Sequence, residues 1–243
     1  MNLIALSVWD LILAAGLVLL LAALSWRLCL GVGRRVLVAA LRGAVQLMLV
    51  GLVLKQLFAQ ANPVLIGLIV LVMWSAAGWE VQSRQKRRYT GPWGYGIGTF
   101  SLFLSSFSVT LLALLVIIQV EPWYQPRYLI PLLGMLLGNT MSGVAIALDQ
   151  LTRQAWDARG CIEARLLLGA TWEEAIADLR REALRSGLIP IVNAMAAAGL
   201  VSLPGMMTGQ ILAGSPPLEA AKYQLLILFL ISAGTGLGAM AAV

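Results

Sequence analysis

The chain is a succession of apolar stretches, each close to a membrane's thickness when coiled as a helix, separated by short breaks rich in charge, proline or glycine. Nothing constrains its fold more. Inside hydrocarbon every backbone N–H and C=O must be satisfied within the segment, so the spanning form is an α-helix with its 1.5 Å rise per residue. Seven such stretches fall near residues 4–24, 36–57, 63–80, 97–119, 128–148, 188–212 and 223–242. They predict an all-α, polytopic transmembrane bundle of about seven spans, forming a single domain over residues 1–243. With 60% apolar and 12% charged residues, the polar surface of a soluble domain cannot be built over most of the chain. Asp10 within the first stretch, and the lack of a basic segment before it, mark that stretch as a span and not a cleavable signal peptide.

Charge then orients the spans. Arg27, Arg34 and Arg35 follow the first stretch, and Arg84, Lys86, Arg87 and Arg88 follow the third. Arg153, Arg159, Arg165, Arg180, Arg181 and Arg185 follow the fifth. Only Lys55, Arg127 and Lys222 fall in the alternate breaks. The positive-inside rule therefore predicts an outside N-terminus and an inside C-terminus. It also explains the net charge of +6 without invoking nucleic acid. Trp9, Trp79, Trp93 and Trp123 sit near span ends, as interfacial anchors do. Cys29 and Cys161 both fall on the inside and predict no disulfide, and histidine is absent.

The one sizeable polar segment, residues 150–187, has helical order. Gly169 is placed to end a first short helix, because glycine tolerates the left-handed conformation of a C′ position. Thr171, Trp172, Glu173 and Glu174 fit a capping box opening a second short helix. Leu168, Trp172, Ile176, Leu179 and Ala183 recur at helical spacing, which makes that helix amphipathic. Such a helix lies along the lipid interface, covers the inner end of the bundle, or docks a soluble partner.

The stretch Glu163, Ala164, Arg165, with Gly169 a few residues on, resembles the EAA loop through which permeases of ABC transporters engage their ATPase. Arg165 stands where that pattern has its second alanine. The resemblance continues through Gly169, Ala170, Thr171 and Glu174, then Arg185–Pro190, Asn193–Met195 and the run Gly199–Gly214, whose core is Ser202, Leu203, Pro204, Gly205, Met206, Met207, Thr208, Gly209 and Gln210. Arg42, Gln46 and Leu47, and the segments from Pro131 to Met135 and Gly138 to Met141, add to it. Nearly the whole chain thus resembles the FetB-type ABC permease family, which includes bacterial iron exporters and a plant branch linked to aluminium tolerance. The resemblance implies a separate ABC ATPase docked on Glu163, Ala164, Gly169, Ala170, Thr171 and Glu174. It implies two copies of this chain in a bacterial-type inner membrane, and iron or a related metal as cargo. No GxxxxGK[ST] phosphate loop occurs, so ATP is expected on the partner and no cofactor on this chain.

The residues themselves suggest a path and leave its cargo open. Pro204 and Gly205 should interrupt the sixth span, since proline removes a ladder donor and clashes with the preceding turn. Asn193, Ser202, Thr208 and Gln210 surround that break, with Met206 and Met207 beside it. Broken helices of this kind bind or gate substrates in transporters, or are tolerated kinks packed through small residues such as Gly205 and Gly209. Arg42 and Gln46 share one face of the second span, and Asn139 lies in the fifth, where Gly134, Gly138 and Ser142 form a small-residue strip. Glu80 is read as interfacial, and Ser101, Ser105 and Ser108 as hydroxyls along one side of the fourth span. Several methionines offer soft contacts, but no imidazole and few intramembrane acids offer ligands for iron. An organic or nucleotide-sugar cargo and a non-transporting scaffold for a soluble partner are the competing readings. A retinal pigment lacks its central lysine, and no nucleophile–base pair or carboxylate dyad points to an enzyme.

Overall fold

A computed structural model describes residues 7–60, 62–87, 91 and 93–243. Arg88 lies outside the described residues. Helices account for nearly all of the described chain, and six are long and apolar enough to cross a membrane. The chain divides into two packed units, Met1–Ala61 and Asn62–Val243.

The first unit is a pair of helices, α1 (Val8–Arg27) and α2 (Gly33–Gln60). Ser7 caps α1 by accepting from the Trp9 N–H, and Asp10 returns a carboxylate to the Ser7 N–H at 2.8 Å. Asp10 is therefore a capping residue at the helix start. Most side chains of both helices face outward, and they are apolar, which is the arrangement lipid demands.

The second unit begins with α3 (Pro63–Arg84), opened by Asn62, whose side chain accepts from the Val64 N–H. The fourth crossing, over Trp93–Ile117, is not one regular helix. It runs as α4 (Trp93–Leu102), a π turn at Phe103–Phe107, α5 (Ser108–Leu112) and a second π turn at Ala113–Ile117. Hydroxyls explain part of this irregularity. Ser101, Ser105 and Thr110 each bond the carbonyl four residues back, at 2.6–2.7 Å, a competition that distorts the helical ladder. Ser101 and Ser105 are buried while Ser108 is exposed, so the expected row of three hydroxyls on one side does not form: the π turn shifts the phase.

The remaining elements are α6 (Pro126–Asp157), α7 (Arg159–Leu167), α8 (Trp172–Ala197), α9 (Gly205–Leu212) and α10 (Pro217–Ala242). The two long helices α6 and α10 form the centre of the unit, with α8 laid against both. Backbone meets backbone closely between α6 and α8. A Cβ on Gly187 would lie 2.7 Å from the Gly143 carbonyl oxygen, and one on Gly143 would lie 2.5 Å from a Thr235 methyl of α10. Glycine is required where two backbones meet this closely. The expected strip of Gly134, Gly138 and Ser142 is not the packing surface, since Gly138 meets nothing within 4 Å and Gly134 meets only the Met73 methyl. Nor do Gly205 and Gly209 pack against a neighbour.

Two expectations about the polar segment change. The second helix is not short: α8 runs 26 residues from the polar segment straight into the first half of the expected sixth span, passing Pro190 without ending. That span is broken as expected, but earlier than Pro204. The chain leaves α8 at Ala197, turns through Gly199 (φ +82°), and resumes at Gly205. The turn pairs carbonyls of its own with its own amides. The Ala197 oxygen accepts from the Val201 and Ser202 N–H groups, and the Ser202 oxygen accepts from Gly199.

Candidate functional site

Two sites lie at opposite ends of α6, which at 32 residues is roughly 48 Å long. At its C-terminal end, α7 and α8 form a tight hairpin. Gly169 has φ +93°, its N–H donates to the Leu166 oxygen, and the Ala170 N–H donates to the Arg165 oxygen. This paired bonding is a Schellman closure, with glycine at the left-handed position. Two residues on, the Thr171 hydroxyl accepts from the Glu174 N–H at 3.3 Å while Glu174 accepts from the Thr171 N–H at 2.9 Å. The Thr171 N–H first, and its hydroxyl second, hold the Glu174 carboxyl below the usual carboxylate range.

Arg165 does something its departure from the EAA pattern does not reveal. Its guanidinium donates to the Ala175 oxygen at 3.1 Å and lies 3.5 Å from an Asp178 carboxylate oxygen, fastening α7 to α8. The amphipathic reading also shifts. Ala175 and Ala183 are the buried residues of α8's first half, whereas Leu168 is 88% and Trp172 62% exposed. With Leu167 at 89%, they give the hairpin tip an open apolar patch. Glu163 and Ala164 are exposed on α7.

Beside the hairpin is a cleft of about 860 Å³, lined among others by Arg87, Trp156, Arg159, Glu163 and Trp172. Arg87 sits 4.1 Å from the Trp156 ring centroid and Arg159 5.1 Å from it, two cation–π contacts on one indole. The Lys86 N–H donates to Asp149 at 2.8 Å, so the segment after α3 is pinned to α6 as well.

At the N-terminal end of α6 a second cleft, about 300 Å³, is bounded by α6, α9, α10 and the end of the fourth crossing. Its polar groups are Arg127, Tyr128, Gln210 and Tyr223, and Met135 and Met206 supply thioethers. The Gln210 Oε1 atom is shielded from solvent and has no hydrogen-bond partner, a state that costs about 1–3 kcal/mol in a folded protein. Of the residues expected to form a path, Met206 and Gln210 meet here. Met207 and Thr208 share α9 but do not line the cleft, and the Thr208 hydroxyl bonds back to the Pro204 oxygen at 3.3 Å.

Within the second unit, the other expected path residues do not line this cleft. Pro204 caps α9, and Ser202 belongs to the turn. Asn193 is exposed on α8. Asn139 is exposed on α6, its amide donating to the Met135 oxygen four residues back at 2.8 Å. Arg42 and Gln46 are exposed on α2, within the first unit. Glu80 pairs with Arg84 at 3.5 Å near the end of α3. Sequence reasoning did not assign Arg127, Tyr128 and Tyr223 to a site. The available signal was the scarcity of charge on that side of the spans, which makes a single arginine there conspicuous.

Residues 8–243 match the family described as uncharacterised protein family UPF0014. A UPF0014 membrane protein, slr1647 of Synechocystis, is 44% identical over 194 residues, covering 78% of this chain and 73% of the relative. The Escherichia coli protein named probable iron export permease protein FetB is 35% identical, covering 83% of this chain and 75% of its own length. The rice UPF0014 membrane protein STAR2 is 36% identical, covering 88% and 73%. No solved structure matches the chain.

Proposed function

Because this chain belongs to the UPF0014 family of membrane proteins, we propose that it is the membrane-spanning permease subunit of an ATP-driven ABC transporter, exporting iron or a related metal. Hydrolysis takes place on a separate ATPase chain, and two copies of this permease assemble with it in a bacterial-type inner membrane. The N-terminus lies outside, the C-terminus inside, and both helical units belong to one permease domain. In this reading the turn at 198–204 lies within the sixth crossing, a discontinuous one made of the end of α8 and α9.

The observation that carries the reading is the build of the α7–α8 hairpin. Its tip presents Leu167, Leu168 and Trp172 to solvent while both of its helix ends are internally closed. An open apolar tip on a rigid turn is what a soluble partner's groove receives. Because α8 continues without interruption from that tip to the Gly143–Gly187 crossing, a push on the hairpin reaches the centre of the bundle. Iron as cargo is supported by the name of the Escherichia coli relative.

The test is co-purification of the chain with its cognate ATPase, followed by ATP-driven metal efflux in proteoliposomes. Gly169→Val or Glu163→Arg is expected to weaken ATPase capture and efflux together. Capture unchanged by both substitutions would sink the docking assignment.

A further inference from the structure

The two clefts differ in what they would hold, and the one at the N-terminal end of α6 is chemically legible. Among the described residues that line it, Arg127, a cation, is the one that is permanently charged, and none is a carboxylate. A bare divalent or trivalent metal ion entering there meets a like charge. Its remaining donors would be one amide oxygen, two phenols and two thioethers, a poor shell for a hard, oxygen-seeking cation. The same set suits an organic anion. Arginine offers a planar fork to a carboxylate, and the shielded Gln210 oxygen needs a donor such as a hydroxyl. Tyr128 and Tyr223, with Met135 and Met206, supply walls for carbon surface. The volume, about 300 Å³, is that of a small organic ligand's pocket. One water, by contrast, takes about 30 Å³.

We propose that this cleft binds the cargo as an anionic, hydroxyl-bearing organic chelate and not as a bare cation, with Arg127 receiving a carboxylate and Gln210 accepting from a hydroxyl. The proposal rests on the permease reading for its word cargo, but the site itself is tested without the ATPase. Lys222, close by, is held by Glu219 at 2.8 Å and is not needed as a second anchor.

The experiment is calorimetric titration of the purified full chain in nanodiscs of zwitterionic lipid, using iron(III) citrate, and iron(II) chloride under anoxic conditions, as separate probes. Saturable binding of iron(III) citrate is expected, with iron(II) chloride silent. Arg127→Gln and Gln210→Leu should each weaken citrate-chelate binding by about tenfold or more, with Arg127→Lys, which keeps the charge but not the fork, losing less than Arg127→Gln. Gln210→Glu, which keeps the volume and adds a negative charge, should lose the chelate and admit iron(II). Each variant is first checked for an unchanged melting curve and elution volume, and Arg127→Lys covers the case in which another variant misfolds. Iron(II) binding to the wild type with the chelate silent overturns the proposal, as does chelate binding unmoved by both substitutions. Abolition of chelate binding by phosphatidylglycerol in the nanodisc also overturns it, identifying a lipid-headgroup site. Chelate binding that depends on Arg127, without ATP-driven transport once the ATPase is added, sinks the permease reading and leaves the cleft's chemistry standing.

Discussion

The two ends of α6 are built in opposite ways. At the C-terminal end, the hairpin is made from neighbours in sequence: Gly169, Thr171 and Glu174 close it through bonds spanning three to five residues. At the N-terminal end, the cleft gathers Ile118, Arg127, Met135, Met206, Gln210 and Tyr223 from four separate segments. The first is a mechanical part that forms wherever the local chain is present. The second exists only if the bundle packs, so a change in bundle packing must alter it. That contrast suits a machine in which a partner holds one end and cargo occupies the other.

The strongest way to break this arrangement is to separate α6 from α8 between the two ends. Gly187→Leu places side-chain atoms where the Gly143 oxygen already sits 2.7 Å from a Cβ. A cost of about 3 kcal/mol is expected from overpacking at a backbone contact. Thermal melting in detergent should show a drop of several degrees, and the cleft should lose its ligand although no lining residue changed. Unaltered melting would mean that the crossing is looser than described.

A smaller effect is expected at the hairpin. Gly169→Val forces a β-branched residue to φ +93°, at a strain of roughly 1–3 kcal/mol. Gly169→Asn should recover part of the lost ATPase capture, since asparagine tolerates the left-handed region. Equal capture by the Val and Asn variants would show that the turn's conformation is not what the partner reads.

Thr171→Ala removes the cap and is expected to cost about 1 kcal/mol. Hydrogen exchange at the amides of residues 172–176 is the measurement, and exchange unchanged from wild type would refute the cap's role. The same amides carry a pH signature. The folded Glu174 carboxyl titrates below its ordinary value, so its contribution is complete above the ordinary glutamate range and is lost as pH falls through the lowered value. Protection should therefore decline on acidification in the wild type, and Glu174→Gln should flatten the profile.

The smallest effect belongs to Arg87→Ala. Losing one of two cation–π contacts on Trp156 should cost about 0.5–1 kcal/mol. A change in Trp156 fluorescence without loss of the cleft near α6's N-terminal end would confirm that the two ends fold independently at this scale.

How much was legible in advance tracks the same division. Six of the expected spans, the glycine stop and the capping box are local patterns of hydropathy and hydrogen bonding, and each appears near where the residues predict it, whereas the expected sixth span is divided between α8 and α9. The burial face of α8 was not legible, because Leu168 and Trp172 fit a helical stripe equally well whether a core or a partner covers them. The small-residue strip of α6 misled for a related reason. Gly134 and Gly138 have the right spacing, but Gly143 is the residue that meets Gly187, and spacing alone does not say which face a neighbouring helix will choose.

By itself the sequence determined that this protein is a bundle of membrane-crossing helices with one ordered polar hairpin. Apolar length, charge asymmetry and backbone chemistry act within a few turns of chain, so they need no partner to be read. Only the tertiary structure decided that α8 joins the hairpin to the bundle's centre without a break. It alone brought Arg127, Gln210 and two tyrosines to one cleft. Those facts depend on contacts between residues tens of positions apart, and their energies arise only when the helices close against one another.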